Sequence, residues 1–345
     1  MAFEIYETHE LLEVLTNIPP LPSYFLDTFF RAEHLSDSEF IDFDLVDRGR
    51  RLAPFVAPNV QGQPMLQNGY STRQFKPAYI KPKDPVDPRR VLLRRAGEAY
   101  GGSMSPQQRE DAIIADIQVS HRDMIHRTWE WMAAQAIIDG QVVVEGENYP
   151  SRTVQFGRSA ANSDVLTGTA MWSNPTTAKP LDDVKRWATQ VQRSGVKANR
   201  LTLSPDSAAA FFATDQVKAE FETRRGTSFG QNFERNDLSG DTVTYHGVLP
   251  GGIEVVTYSD IYEDNMGDEQ PFMPSNVALL TGNPDGLRAF GAVMDRKAEW
   301  RSVPIFQKMY EQEDPSGLFL LSQSAPLMIP RRPNATYKAT VMAAP

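Results

Sequence analysis

Between Ser105 and Gly140, the positions Ile113, Ile114, Ile117, Met124, Ile125, Thr128 and Met132 recur every three or four residues and draw one stripe down a helix. Ser105 suits an N-cap, Pro106 the first helical position and Gln108 the far corner of a capping box, while Gly140 supplies the stop. A helix from Pro106 to Asp139 would run about 50 Å, well beyond the usual three turns. Upstream, an acidic helix from Glu4 to Leu15 is expected to stop at Pro19, Pro20 and Pro22. The aromatic cluster Tyr24, Phe25, Phe29 and Phe30 follows. Ile41, Phe43 and Leu45 then alternate with Asp42 and Asp44 as a half-buried strand would.

Residues 48–95 read differently. Prolines at 54, 58, 64, 77, 82, 85 and 88 leave almost nothing that could be a helix, and apolar residues are too sparse for a core. Within "PAYIKPKDPVDPRRVL" the prolines at 82, 85 and 88 stand three apart, the turn of a polyproline II rod. Such a ribbon cannot be a central strand, so it is an edge strand, a rigid arm or a linker. Asn68-Gly69 is a hairpin-type turn signal. After the long helix, Val142–Val144 and Val154–Phe156 read as strands. Leu181, Val184, Trp187, Ala188 and Val191 form a helical stripe ended by Gly195. Leu201–Leu203 leads as a strand into the cap Ser204-Pro205, and further strands are expected at 242–248, 253–258 and 277–281. An apolar run, Leu318 to Leu321, precedes "SQSAPLMIP". The order is mixed α+β, without internal repeats.

The chain has 345 residues, 41% hydrophobic, enough for two or three domains or one with long excursions. No window approaches the roughly 18 apolar residues of a membrane span. The acidic N-terminus lacks the order of a secretory signal, so cytoplasmic synthesis is expected, and the sequon at Asn334 is read as chance. With no cysteine there is no disulfide or thiol chemistry. A net charge of −9 argues against gripping nucleic acid by its phosphates. The distribution is sharper than the total. Residues 1–47 hold eleven acids against Arg31, net −10, whereas residues 48–95 hold eleven bases against Asp84 and Asp87, net +9. These segments either pair within one chain or form complementary surfaces on different copies.

Catalytic motifs are missing. The sequence holds no nucleophile elbow, H-E-x-x-H helix, P-loop or G-x-G-x-x-G turn. Of five histidines, His121 and His126 lie five apart and do not share a helix face as metal ligands would, so polar-face or interface positions are expected. Asp42 and Asp44 read as a solvated strand face, and Asp264 to Glu269 as a hairpin tip lacking the full calcium ligand series. No cofactor or metal is expected. The basic cluster Arg89, Arg90, Arg94 and Arg95 suits protein pairing better than DNA. Arg224-Arg225 ends a helix, where cations suit the macrodipole, or touches another copy.

Phe29-Phe30-Arg31, Tyr79 to Lys83, Gly157-Arg158-Ser159, Thr223 to Gly226, Gly286-Leu287-Arg288 with Phe290-Gly291, and Gln323 to Met328 occur in order. In these the chain resembles the major capsid protein E family of long-tailed phages. The resemblance implies an α+β, Hong Kong 97-like capsid fold and a subunit of the icosahedral shell around packaged double-stranded DNA. It implies an N-terminal arm (1–47), an extended loop (48–97) and a peripheral domain (98–180) with a spine helix at 106–139. An axial domain (181–285) and C-terminal strands completing both domains (286–345) would follow. It also implies self-assembly into hexamers and pentamers, a scaffold, a portal and a decoration protein at three-fold sites, with DNA enclosed but not read. No long helical extension precedes the arm, so the scaffold would be a separate chain. Expected contacts between copies are Lys76, Lys81, Lys83, Arg89, Arg90, Asp42, Asp44, Arg224 and Arg225. Lys81 and Lys83 are available for covalent crosslinking, but nothing in the residues points to that chemistry. On this reading residues 48–95 are ordered by a neighbouring subunit, and deleting 58–88 leaves folded subunits that never close into shells. The alternatives are another virion component, or a hydrolase built from scattered Ser, His and Asp.

Overall fold

The computed structural model describes residues 6–17, 21–46, 55, 58–59, 61, 70–93, 104–146, 149–225, 242–264, 266–312 and 317–343. Helix α1 (Thr8–Asn17) starts later than Glu4, because the Glu10 carboxylate accepts the Glu7 N–H at 2.9 Å and fixes the first turn there. Helix α2 (Tyr24–Phe29) buries its aromatic side chains, and Phe30 follows them into the core. After strand β1 (Ala32–Leu35) comes β2 (Ile41–Val46), with Ile41 and Phe43 buried and Asp42 exposed. Strand β2 pairs antiparallel with β3 (Tyr70–Phe75), from Ile41 opposite Phe75 to Val46 opposite Tyr70. The Asn68-Gly69 turn lies outside the described residues.

Two elements correct the expectation that residues 48–95 lack helix and core. Strand β4 (Lys83–Val86) and helix α3 (Pro88–Leu92) both lie on the chain's own body. Pro88 occupies the first helical position, where no donor is needed, and the Asp87 carboxylate accepts the Arg89 N–H at 2.9 Å. Three-residue proline spacing thus marks an edge strand followed by a helix start. Val86 and Val91 are buried against the long helix, α4 (Pro106–Ile138). That helix has the expected capping box: Gln108 N–H donates to Ser105 Oγ at 3.2 Å, and Ser105 N–H to Gln108 Oε1 at 2.9 Å. Its far end closes on Gly140 (φ 68°), with the Arg158 guanidinium donating to the Ile137 and Ile138 carbonyls at 3.1 and 2.7 Å. The stripe itself differs from expectation. Met124 is half exposed, while Gln118, His121, Arg122 and Glu130 are buried. His121 is therefore no polar-face histidine.

Beyond α4 the chain forms the hairpin β5 (Gln141–Gly146) and β6 (Tyr149–Gln155), then β7 (Ser163–Val165), α5 (Pro180–Arg193), β8 (Arg200–Leu203), α6 (Pro205–Ala213) and α7 (Asp215–Arg225). Strands β9 (Val243–Leu249) and β10 (Ile253–Tyr258) precede the small hairpin β11 (Ile261–Glu263) and β12 (Glu269–Pro271), whose tip is the expected acidic turn. Strands β13 (Val277–Thr281), β14 (Gly286–Phe290), β15 (Phe306–Gln312), β16 (Gly317–Gln323), β17 (Pro326–Pro330) and β18 (Thr336–Thr340) complete the order.

Three cores result. A mixed six-stranded sheet, β7-β18-β13-β8-β10-β9, packs on α5 and α6 around Trp172, Trp187 and Phe211. A second core joins the α2 aromatics to the C-terminal half of α4 and to the sheet β1-β14-β17. There the chain passes so close to Gly286 that a Cβ would collide with the Phe29 carbonyl oxygen. The third and smallest core lies between α1, α3, the N-terminal half of α4 and the sheet β15-β16-β4.

Candidate functional site

The ribbon from Lys76 to Leu93 is fastened to the body residue by residue. Pro77 packs on Gly291, where a Cβ would meet its ring at 2.7 Å. Tyr79 donates its hydroxyl to the Ala292 carbonyl at 2.6 Å. Ile80 bridges Ser324, and the Ser322 N–H donates to the Pro82 carbonyl at 3.0 Å. Strand β4 then runs along the edge of β16, with Pro85 opposite Phe319. An edge is where a proline's missing donor is tolerated. Lys81 lies 4.9 Å over the Tyr79 ring, and Lys83 lies 4.1 Å over Phe319 and 5.4 Å over Tyr310. Each such contact is worth about 0.5–1 kcal/mol at an exposed site.

Beneath the ribbon a polar row that apolar spacing does not reveal leads from the half-exposed Asp84 into the buried interior. Asp84 Oδ2 stands 3.1 Å from His121 Nε2, and His121 Nδ1 stands 2.9 Å from Ser322 Oγ. Gln307 Nε2 donates to the same Ser322 oxygen at 3.0 Å. Gln118 Nε2 donates to Gln307 Oε1 at 3.1 Å and to the Leu11 carbonyl at 3.3 Å. The order Asp–His–Ser is that of a hydrolytic triad. A nucleophile, however, must face substrate, and Ser322 is fully buried near the end of β16, the central strand of its sheet. Burial pushes the His121 pKa below the usual histidine value, against the opposing pull of Asp84. What the row does is tie α1, α4, β4, β15 and β16 together. In the native protein Ser322 is expected to resist a fluorophosphonate probe. His121→Ala should lower unfolding stability by about 2–4 kcal/mol, with amide exchange accelerating first in residues 77–92. Labelling of Ser322, or an unshifted urea midpoint, would reverse this assignment.

A second buried group fastens α2. Glu130 accepts the N–H groups of Phe25 and Leu26 at 2.7 and 2.8 Å and the Tyr258 hydroxyl at 3.1 Å. Burial pushes its pKa up to about 7, in spite of those three donors. Alongside, Arg288 donates to the Phe30 and Leu26 carbonyls at 2.6 and 3.1 Å and pairs with Asp27 at 2.9 Å.

The expected contact residues fall in separate places. Lys76 pairs with Glu39 of the same chain, so one basic residue of the second segment does meet the acidic first segment within a subunit. Both are partly exposed, which limits such a pair to about 0–1 kcal/mol. Lys81 and Lys83 engage the rings just described, and Arg89 and Arg90 are exposed on α3. Asp42 is exposed opposite Gln74, and Asp44 stands opposite Thr72. Arg224 and Arg225 end α7, the helix end expected of them, with side chains outside the described residues. Sequence reasoning missed Asp84, Gln118, His121, Glu130, Gln307 and Ser322. The available signal was Gln118 and His121 falling on the same face as Ile114, Ile117 and Ile125. Among the described residues no group of three or more His, Cys, Asp or Glu could hold a metal ion, and no helix is long and apolar enough to cross a membrane.

Comparison with known proteins places this arrangement. A family model described as phage major capsid protein E matches residues 7–341. The major capsid protein of Escherichia phage N15 is 31% identical over 333 residues, covering 94% of this chain and 96% of that protein. That of Escherichia phage lambda is 30% identical over the same length and shares. Among solved structures, one described as a capsid protein of an E. coli CFT073 prophage superposes with a TM-score of 0.75 at 20% identity, covering 98% of this chain and 99% of that one. The mature capsid of bacteriophage PhiM1 gives a TM-score of 0.52 at 9% identity, over 100% and 93% of the two chains.

Proposed function

The chain belongs to the phage major capsid protein E family, and on that premise we propose that it is the subunit that assembles into the icosahedral head of a tailed phage. The observation that carries this reading is the family match across nearly the whole chain. The family is a structural one, and the role needs no chemistry at the Asp84–His121–Ser322 row. In this reading residues 1–47 form the arm, 48–97 the extended loop and 98–180 the peripheral domain, with α4 as its spine. Residues 181–285 form the axial domain, and 286–345 complete both. Support comes from the 33-residue length of α4 and from the six-stranded sheet that gathers β8, β9, β10 and β13 with the C-terminal β18.

The subunit would build hexamers and pentamers of itself, with a separate scaffold, a portal and a decoration protein at three-fold sites as partners. Assembly would take place in the host cytoplasm and the product would reside in the virion. An acidic container wall suits the task, because DNA that is not gripped can be loaded and released. The opposed charges of residues 1–47 and 48–95 would then meet largely between copies, through residues such as Asp42, Asp44, Arg89 and Arg90. The Lys76–Glu39 pair is kept within the subunit. Chain expressed with its scaffold should sediment as particles of megadalton mass, and electron microscopy of that fraction should show closed shells whose yield falls with added salt. A small oligomer under all conditions would overturn the proposal.

A further inference from the structure

Between β14 and β15 the chain makes a surface loop, residues 292–302, that is fastened at both ends. Ala292 bridges Ser302, and the Val293 N–H donates to the Arg301 carbonyl at 3.1 Å. The Asp295 carboxylate accepts the Lys297 N–H at 3.0 Å and Gln323 Nε2 at 3.1 Å, and pairs with Lys308. From the arm, Asp37 accepts the N–H and the hydroxyl of Ser302 at 3.1 and 3.0 Å. This well-tied loop nevertheless puts apolar groups in water. Trp300 is 61% exposed and Met294 half exposed, and Leu35 and Phe40 are exposed on the arm segment bonded to it. Glu299 and Trp300 are also consecutive left-handed residues, φ 53° and 54°, where a bulky side chain is strained. Folding gains nothing from an indole held in solvent on a strained backbone. Arg301 pairs with Glu299 at 3.0 Å, whereas Arg296 and Lys297 are exposed and pair with no acid among the described residues.

An exposed tryptophan flanked by cations suits an occupant with an apolar tip in an acidic setting. This chain carries one. The β11–β12 hairpin region holds Asp260, Glu263, Asp264, Asp268 and Glu269, and no Lys or Arg occurs from 247 to 287. Its tip is ordered: Asp264 accepts the Met266 and Asp268 N–H groups at 2.8 and 3.0 Å, and Gly267 takes the left-handed turn position at φ 86°. Met266 stands out from it, 89% exposed. A thioether against an aromatic ring is a favourable contact. Met266 and Trp300 are both bare on their own chain, so neither covers the other within a subunit.

We propose that the Trp300 loop of one copy receives the Met266 tip of the next, the thioether on the indole and Arg296 and Lys297 facing Asp268 and Glu269. The two patches differ, so the contact is head to tail, and such contacts close into rings when their rotation allows. The inference rests on the shell reading and concerns the ring of copies within one capsomer, apart from any contact made by residues 48–97.

Trp300→Gly separates assembly from folding. Glycine relieves the left-handed strain while removing the anchor, so the urea midpoint should hold or rise and shell yield with the scaffold should fall at least about tenfold. Arg296→Glu with Lys297→Glu should cut the yield similarly, and adding Asp268→Lys with Glu269→Lys should restore most of it. The chain has no cysteine. Two differently tagged full-length chains, one Lys297→Cys and the other Asp268→Cys, co-expressed with the scaffold and oxidised, should therefore give a mixed-tag disulfide dimer. Its yield should be at least about fivefold above either single-cysteine control, because bonding needs Cα atoms within about 7 Å. Closed shells without that dimer, or normal shells from Trp300→Gly, would overturn the contact and leave the container reading standing. A separate protein held by unmodified shells and lost from Trp300→Gly shells of normal yield would be the occupant instead. Should Trp300→Gly fail to fold, the charge reversal decides, and a missing rescue overturns the contact. The mixed dimer without shells from the unmodified chain would keep the contact and sink the container. If neither formed, both would fall.

Discussion

Removing residues 47–67 is expected to leave a folded subunit that builds no shells. The excision brings Val46 next to Asn68-Gly69-Tyr70, and Val46 already stands opposite Tyr70 in the hairpin. A two-residue Asn-Gly loop is the connection such a register favours. What is lost is three arginines, three prolines and Phe55. Of that stretch, Phe55 is fully exposed and so contributes nothing to the three cores. The thermal midpoint should therefore move by only a few degrees, about 1 kcal/mol or less. Sedimentation should show only small species, where the unmodified chain gives megadalton particles. The wider cut, 58–88, is expected to fare quite differently. It removes Tyr79, the β4 edge, Asp84 and Val86, and so opens the smallest core and strands His121 without its carboxylate. That variant should be insoluble or molten, with loss of more than about 4 kcal/mol. Normal particles from the shorter deletion would refute the view that residues 47–67 join one subunit to another.

The contrast between those deletions shows which features the sequence displayed and which it hid. The capped helix at 106–138, the aromatic cluster at 24–30 and the strand alternation at 41–45 follow from local rules. Each depends on neighbours three or four residues away, or on simple apolar periodicity. The ribbon at 76–92 is the edge strand that its prolines allow, but its helix and its share of a core are hidden because its anchors are distant. Gly291 receives Pro77, Phe319 receives Lys83, and His121 receives Asp84, all more than thirty residues away in sequence. Proline spacing announced a stiff segment correctly but gave no sign of what it lies on. The buried polar groups of α4 were hidden for a related reason. Gln118, His121 and Glu130 are tolerated inside because Gln307, Ser322 and the Phe25 and Leu26 amides reach them, and those partners come from the arm and the C-terminal strands. A basic-and-acidic split suggested contact between copies without saying which charges stay at home. Lys76 stays at home with Glu39.

Glu130→Ala is expected to be among the most damaging single changes in the molecule. It strips the acceptor from two backbone amides and a tyrosine hydroxyl, all buried, and leaves a cavity beside the α2 aromatics. A loss of about 3–5 kcal/mol follows, with α2 the first element to detach. The milder Glu130→Gln variant tests the electrostatics. Burial raises the folded-state pKa from the ordinary 4.5 to about 7, so the folded chain holds this proton more tightly than the unfolded chain does. Its contribution is therefore fully present below pH 4.5, declines as pH rises, and is gone above pH 7. Over that interval the swing amounts to about 3 kcal/mol. Other groups titrate nearby in the opposite sense. His126, pushed down to about 4 mainly by burial and then by Arg122 and Arg288, and His121, also lowered by burial, both stabilise the fold as pH rises towards 6.5. The wild-type profile is thus a composite, and the informative quantity is the difference from Glu130→Gln, which keeps the histidines and loses the titration. Urea unfolding at pH 5 and pH 8 should show that difference moving by about 2.5 kcal/mol in favour of the glutamine variant at the higher pH. A constant difference across that range would mean that the three donors keep Glu130 ionised throughout, and that hydrogen bonding outweighs burial at this site.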